Sequence, residues 1–470
     1  MRTHLLRKSL LVLALLVTGS CATYYQANLS FNEEFEKGDL RKALKTLRER
    51  PSDGAGKKQF LYFVNNGLIL SLLGQYEESN VYLEKAYLFG EDYHINYMNE
   101  IGSYLTNPNF SVYRGEDHEH LMLLYYKAIN FLKMGKTQEA LVECRRLNIR
   151  LQQLTDRYES GDKYRKDGFV NTLIGLIYDV DKDYNNAFIA YRNALEIYEN
   201  DFNTLFHVQA PEQLKLDLLR TAKLSGLEDE FESFKAKFGM TDFEYVPNDG
   251  GELIFFWHNG LSPVKAEWGI SFAISRRDDQ VTFRNDELGF SFPFNADAYS
   301  DKDRKALERM RVYRIAVPKY IERPLYFSSA KITADGISKP LQLLEDVNKI
   351  AFKCLEERMT LEFSKALMRV AVKKASEYAM RKEDVRLGAL MSIINAITER
   401  ADTRNWQTLP HSIYYCRVAM KEGTSTVNFT ATDSQGRLQE QTFTYKLAKG
   451  QTHFHTFTSL ESGFPSYSYY

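Results

Sequence analysis

Residues 125–147 read YYKAINFLKMGKTQEALVECRRL and residues 173–195 read LIGLIYDVDKDYNNAFIAYRNAL. These two stretches decide the fold of the first half of the chain. Aligned without gaps at a shift of 47 residues, they match Ala128 to Gly175, Thr137 to Tyr184, Ala140 to Ala187 and Leu147 to Ala194. An upstream stretch, NNGLILSLLGQYEESNVYLEKAY (residues 65–87), puts Gly67, Tyr76, Ser79 and Ala86 at those four positions and Gly74 opposite Gly135. Small residues at fixed offsets let two helices approach closely, and aromatic residues such as Tyr178, Tyr184 and Tyr191 fill the groove against the next pair. Each stretch therefore predicts a helix–turn–helix unit. Two degenerate copies flank them, FNEEFEKGDLRKALKTL around Gly38 and Ala43, and LLRTAKLSGLEDEFESFKAKFG around Gly226.

In their small and aromatic positions these units resemble tetratricopeptide repeats. The cores recur after 61 residues (Gly67 to Ala128) and then 47 (Ala128 to Gly175), so extra segments interrupt the stack. The resemblance implies a solenoid whose first helices face a partner, with asparagine bonding the backbone of a bound peptide. The candidate partner-facing residues are Asn65, Asn66, Tyr126 and Asn171; the alternative is a solvated helix face.

Past Gly239 the pattern changes to strand-like alternation. Pro247-Asn248-Asp249-Gly250-Gly251 is a turn-rich linker. After it ELIFFWHNG, VKAEWGISFAIS, QVTFRN, FSFPFN, MRVYRIAVPKYIERP and LYFSSAKITAD read as short strands rich in β-branched and aromatic residues, with Pro318 marking an edge or a kink. From about Leu341 to Arg400 the spacing of Val347, Ile350, Cys354, Phe363 and Leu367 predicts helix. Strands return at SIYYCRVAM, TSTVNFTAT, QTFTYKLA and THFHTFTS. The expected class is α+β: a helical tetratricopeptide-like solenoid over residues 21–240, then a β-sandwich-like domain over 241–460 with a helical insertion at about 341–400, and an aromatic tail over 461–470. Two independent small sheets are the alternative architecture.

The first twenty residues carry a positive start (Arg2, Arg7, Lys8), an apolar run Leu10–Val17 too short to cross a bilayer, and Thr18-Gly19-Ser20 before Cys21. This resembles the lipobox of bacterial lipoproteins, with Thr18 and Ser20 departing from its commonest residues. The resemblance implies cleavage before Cys21 and acylation of its sulfur, and Ala22 favours the outer membrane. An ordinary secretory signal with a chance cysteine is the alternative. Acyl chains anchor through about 0.8 kcal/mol per buried methylene, so two or three hold a protein durably at a membrane.

Several short stretches carry a wider resemblance: Arg114-Gly115-Glu116-Asp117-His118-Glu119, Glu143-Cys144-Arg145-Arg146, Gly251-Glu252-Leu253, Asn259-Gly260-Leu261-Ser262-Pro263-Val264-Lys265 and Ala401-Asp402-Thr403-Arg404-Asn405-Trp406 with Leu409-Pro410. As a set they resemble a family of bacterial lipoproteins with tetratricopeptide-like repeats and a C-terminal β-rich domain. That family implies an envelope location and supplies no catalytic residues. From the residues themselves, Asp402 and Arg404 suit a structural corner with Trp406 sealing the sandwich edge. Glu143 with Arg145 and Arg146 suits a clamp between repeats.

Composition narrows the function. In 470 residues, 61 Lys and Arg balance 62 Asp and Glu, so no basic excess draws a nucleic-acid backbone. Four cysteines exclude a disulfide-dense scaffold, and with Cys21 acylated the remaining three are an odd number. His118 and His120 stand among acids, and His453 and His455 share one strand face; these are weak metal candidates against a helix start and a polar strand face. No phosphate loop, dinucleotide fingerprint, zinc-protease or nucleophile-elbow motif occurs. No catalytic residue, metal or cofactor is expected. The sequence points to a lipid-anchored scaffold or adaptor of the cell envelope, accessory to cell-wall or outer-membrane machinery, that binds a protein or peptide through its repeats. The alternative is an envelope hydrolase or metal-dependent enzyme with its site in the β-domain.

Overall fold

The computed structural model describes residues 23–96, 112–155, 164, 166–277, 280–287, 290–295, 312–359, 362, 363, 366 and 401–463. Cys21 with its leader, the later part of the expected insertion (367–400) and the tail from residue 464 lie outside the described residues.

Among the described residues five helical hairpins build the first half. They pair Leu29–Glu36 with Leu40–Arg48, Gln59–Leu72 with Tyr76–Asn96, Asp117–Lys133 with Thr137–Thr155, Gly168–Val180 with Tyr184–Ile197, and Glu212–Leu224 with Glu228–Phe238. One turn chemistry closes all five. Each first helix ends on a left-handed residue, Gly38, Gly74, Gly135, Lys182 or Gly226, with φ between 61° and 78°. In each turn that residue and the next donate backbone N–H groups to the last carbonyls of the helix, as Gly135 does to Leu132 and Lys136 to Phe131. Lys182 alone meets this conformation with a side chain. The small positions do what their spacing predicts. A Cβ on Gly175 would stand 2.4 Å from the ring of Tyr191, so only glycine admits that ring. Ala140, Ala187 and Ser79 are fully buried at the equivalent place, where Ser79 Oγ donates to Gly67 O at 2.6 Å.

Twelve strands follow: β1 Gly251–Asn259, β2 Val264–Arg277, β3 Gln280–Asn285, β4 Phe290–Asn295, β5 Val312–Ile321, β6 Phe327–Ala334, β7 Ile337–Pro340, β8 Gln342–Asp346, β9 Ser412–Met420, β10 Gly423–Asp433, β11 Leu438–Leu447 and β12 Thr452–Ser459. They form three four-stranded sheets, ordered β12-β1-β9-β8, β11-β10-β6-β7 and β4-β3-β2-β5. The first two face each other over one apolar core that includes Leu253, Phe255 and Trp257 of β1, Val418 of β9, Ile332 of β6 and Phe429 of β10. The third is a separate antiparallel sheet in Greek-key order, in which β5, the strand with Pro318, returns beside β2 as an edge. Sequence alternation alone did not separate β2–β5 from the paired sheets.

The first sheet is covered on both faces. Leu253, Phe255 and Trp257 point into the inter-sheet core, while Ile254 and Phe256 alternate with them into the core of the helical hairpins. That double burial is why residues 253–257 are an unbroken apolar run. One correction concerns the expected helix from Leu341. Residues 342–346 form β8, because Leu344 sinks into the helical core and the segment pairs with β9. Helix begins only after Asp346, whose carboxylate accepts the N–H of Lys349 at 2.9 Å.

Candidate functional site

A helical solenoid offers its inner face for binding, and here that face is filled by the chain's own C-terminal half. Segment 401–411, which leads into β9, runs along the first helices of the hairpins. Trp406 donates its backbone N–H to Glu119 Oε1 at 2.5 Å, Thr408 Oγ1 donates to Asn65 Oδ1 at 2.7 Å, and Gln407 Nε2 donates to Asn32 Oδ1 at 2.8 Å. At the near end Thr403 Oγ1 accepts the N–H of Tyr24 at 3.0 Å. Arg323 ties the segment to the rest by donating Nε to Ser262 O at 2.7 Å, Nη1 to Glu36 Oε1 at 3.0 Å, and Nη2 to Gln407 O. Trp406 is fully buried in the helical core, its ring centroid 6.2 Å from that of Tyr126. The segment makes the contacts expected of a bound peptide, yet it is covalently part of the receptor.

This corrects the partner-facing reading of Asn65, Asn66 and Tyr126. Asn65, Asn66 and Tyr126 are buried. Asn65 holds Thr408, Asn66 Oδ1 accepts from Arg48 Nε at 3.1 Å, and Tyr126 packs on Trp406 and His258. Asn171 is half-buried and donates its side-chain amide to Asp167 O within its own helix. Trp406 also departs from expectation, because it seals the helix-to-sheet junction and not the core between the two sheets.

Three buried charge clusters lock the junction or the hairpins. In the first, Glu116, just before the helix Asp117–Lys133, contacts Lys265 of β2 and Arg358. Lys265 Nζ also donates to Arg404 O at 3.2 Å, and Arg404 grips Asp402 through Nε and Nη2 at 2.8 and 2.7 Å. Burial acts to raise the Asp402 carboxyl, but the Arg404 guanidinium wins and holds it below the usual range. Burial pushes Glu119 up to about 7 despite Lys265. The second centres on Arg417 of β9, which reaches Asp179 at 2.6 Å, Asp217 at 2.9 Å and Glu252 at 2.5 Å, with Arg220 also on Asp179. Burial raises Asp217 to about 6, whereas Arg417 and Arg220 together overcome it at Asp179 and hold that carboxyl low. In the third, Lys127 lies between Glu84 and Glu143, and Arg146 contacts both carboxylates at 3.3 Å. Glu143 thus belongs to a clamp between hairpins, and Arg145 donates on the exposed side to Tyr178 Oη of the next hairpin at 3.4 Å. Sequence reading missed Arg417 and Lys265, though a lone cation inside the apolar strand SIYYCRVAM was its available signal.

The histidines divide by environment. His118 is buried and held neutral, lowered to about 3 by burial and by Lys265, while His120 Nε2 meets Arg114 O at 2.9 Å. His453 and His455 turn toward Phe443 and Tyr445 between the sheet edges, with His455 4.5 Å from Phe443 in ring centroids. Among the described residues no group of three His, Cys, Asp or Glu side chains is arranged to hold a metal. Cys144, Cys354 and Cys416 are buried and unpaired, with burial pushing each thiol up and Cys416 reaching about 12. A small cavity at the junction is lined by His118, Tyr125, Tyr164, Asp167 and Glu345 among apolar side chains. Among the described residues Glu345 Oε2 and His118 Nδ1 have no hydrogen-bond partner there.

No family model and no curated protein matches the chain. Among solved structures it is similar to BtubC (BKLC) from P. vanneervenii, at 16% identity over 47% of this chain and 82% of that one, with a TM-score of 0.31. It is also similar to a tetratricopeptide repeat protein from Parabacteroides merdae ATCC 43184, at 17% identity over 46% of this chain and 67% of that one, TM-score 0.29. A putative kinesin light chain of Podosopora anserina with nearly identical TPR-like repeats aligns at 12% identity over 46% of this chain and 94% of that one, TM-score 0.31. At such scores these likenesses add nothing to the five hairpins already described.

Proposed function

We propose that the protein is a scaffold of the bacterial cell envelope, tethered through acyl chains on Cys21 and facing the periplasm from the outer membrane. It engages protein partners with the outer surface of its helical hairpins. The observation that carries this reading is the filled inner face together with what is left exposed outside. Val81, Val142 and Ile189 stand at equivalent positions of three successive second helices, and Leu88 and Ile149 form a second row. Val81, Leu88, Val142 and Ile149 are each between 44% and 57% exposed, an apolar set in repeat register that no internal packing accounts for. The β-rich half, read as a sandwich with a third sheet attached, stiffens the solenoid by filling it.

Two experiments test the two parts separately. Radiolabelled palmitate is expected to enter the wild-type chain and not Cys21→Ala. Photo-cross-linking from positions 142 and 189 in intact cells is expected to yield a discrete protein adduct that Val81→Asp weakens. A photo-cross-linker at Thr444, on the outer strand β11, is expected to yield none. Equal labelling at all three positions would end the scaffold reading.

A further inference from the structure

Six of the described strands end a sheet: β12 and β8, β11 and β7, β4 and β5. A sheet edge presents unpaired N–H and C=O groups to any other chain, and proteins blunt it with proline, charge, bulges or short length. Five of the six edges carry such a device. β8 has a bulge between Leu343 and Glu345 and ends in two acids. β7 spans four residues with Lys339 and Pro340. β4 contains Pro293, β5 contains Pro318 with Arg314 and Lys319, and β11 carries Glu440 and Lys446. β12 differs. Over eight residues, Thr452-His453-Phe454-His455-Thr456-Phe457-Thr458-Ser459, it has no proline and no acid, lysine or arginine, and its register with β1 runs without a bulge.

We propose that β12 is a self-association edge through which two copies of this chain pair antiparallel, joining their β12-β1-β9-β8 sheets into one continuous sheet. The sequence of the strand fits its own inverse. Centred on Thr456, the pairing sets Thr456 opposite Thr456, His455 opposite Phe457 of the second copy, and Phe454 opposite Thr458. These are the aromatic and threonine cross-strand pairs that stabilise antiparallel sheets, and no like charges meet. Such a contact is isologous and closes at two copies. A strand without ionised side chains has no charge pattern by which to select an unrelated partner, whereas in this register the pairs it forms with itself are all of a stabilising kind. The exposure agrees: every side chain from Thr452 to Thr458 except Phe454 is half-buried, whereas β1, paired on both sides, is buried at all but Glu252. Burial also keeps His453 and His455 uncharged near neutrality.

The test uses the full-length lipidated chain in its membrane. Directly opposed residues of an antiparallel pair lie within disulfide reach. Under mild oxidation Thr456→Cys is therefore expected to give a disulfide-linked species of twice the chain mass. Thr444→Cys, more exposed on β11 than Thr456 is on β12, is expected to give none, and the buried Cys144, Cys354 and Cys416 supply no background. In detergent at micromolar concentration the wild type is expected to sediment as two copies and Thr456→Lys as one, with an unchanged melting temperature; Thr458→Lys serves if Thr456→Lys does not fold. Cross-linking of Thr456→Cys no greater than that of Thr444→Cys, capture of a different protein by Thr456→Cys, or a two-copy mass retained by the folded lysine variant would overturn the proposal.

Discussion

Glu119 and Trp406 stand 287 positions apart in sequence, and the carboxylate of one accepts the backbone N–H of the other at 2.5 Å. Glu119 also accepts from Tyr113 Oη at 2.8 Å and from the backbone N–H of Glu116, three residues earlier at the N-cap, at 2.9 Å. One side chain thus caps a helix start and fixes the segment that fills the solenoid. The helical and β-rich halves are consequently one packing unit, since the same apolar core contains Leu123, Leu173, Phe256 and Trp406.

Removing the tryptophan tests that unity. Trp406→Ala empties a fully buried site, and such truncations cost about 3–5 kcal/mol. Chemical denaturation followed by circular dichroism and by tryptophan fluorescence is expected to show a single transition in the wild type and an earlier one in the variant. Loss of only the β-sheet signal in Trp406→Ala would mean that the halves fold independently.

The carboxyls at the junction predict a pH dependence. Burial holds Glu345 well above the usual carboxylate range and raises Asp167 to about 6. An acid whose folded pKa is raised binds its proton more tightly folded than unfolded. Its folded form is therefore fully favoured below the unfolded value, about 4, and stability falls as pH rises from there toward the folded value. Glu345→Gln is expected to unfold later than wild type near neutrality, by about 1–3 kcal/mol for relieving an unpaired buried acid, and to match it below pH 4. Thermal melts at both pH values check this; a variant less stable than wild type at pH 7 contradicts it.

The hairpins were legible because periodicity and small residues are local signals: Gly67, Gly175, Ala140 and Ala187 each report the packing of a helix on its immediate neighbour. The occupied inner face was not legible. Asn65 reads the same whether its amide meets a foreign peptide or Thr408, and only the fold brings position 408 there. For β8, QLLED has the composition of a helix, and its strand geometry comes from pairing with Tyr414 and Tyr415. Arg417 showed in the sequence only as a lone cation in an apolar strand, and its partners were hidden because the three acids come from two helices and a neighbouring strand.

The clamp between hairpins makes a sharper energetic test. Lys127 is buried between Glu84 and Glu143, so Lys127→Met leaves Glu143 in a dry site with only the half-exposed Arg146 beside it, a loss smaller than the about 3–5 kcal/mol of a fully uncompensated buried charge. Lys127→Met with Glu143→Leu removes both and is expected to recover most of that loss. Denaturation midpoints of the two single variants and the double variant close the cycle; additive losses would mean that the ion pair is energetically idle.

Lys182 offers the opposite sign. It occupies the left-handed turn position that is glycine in the other four hairpins, at φ 61°, and a side chain there costs about 1–2 kcal/mol. Glycine removes that cost but brings a more flexible unfolded chain, which returns about 0.4–1 kcal/mol. The Lys182 side chain is exposed, so little packing is lost. Lys182→Gly is therefore expected to stabilise the protein by up to about 1 kcal/mol, and Lys182→Asn, which tolerates the same conformation, by less. Lys182→Val must destabilise, because a β-branched residue fits the left-handed region worst. If the melting temperatures fail to rank glycine, asparagine, lysine, valine in descending order, the shared turn chemistry of the five hairpins is not what closes this one.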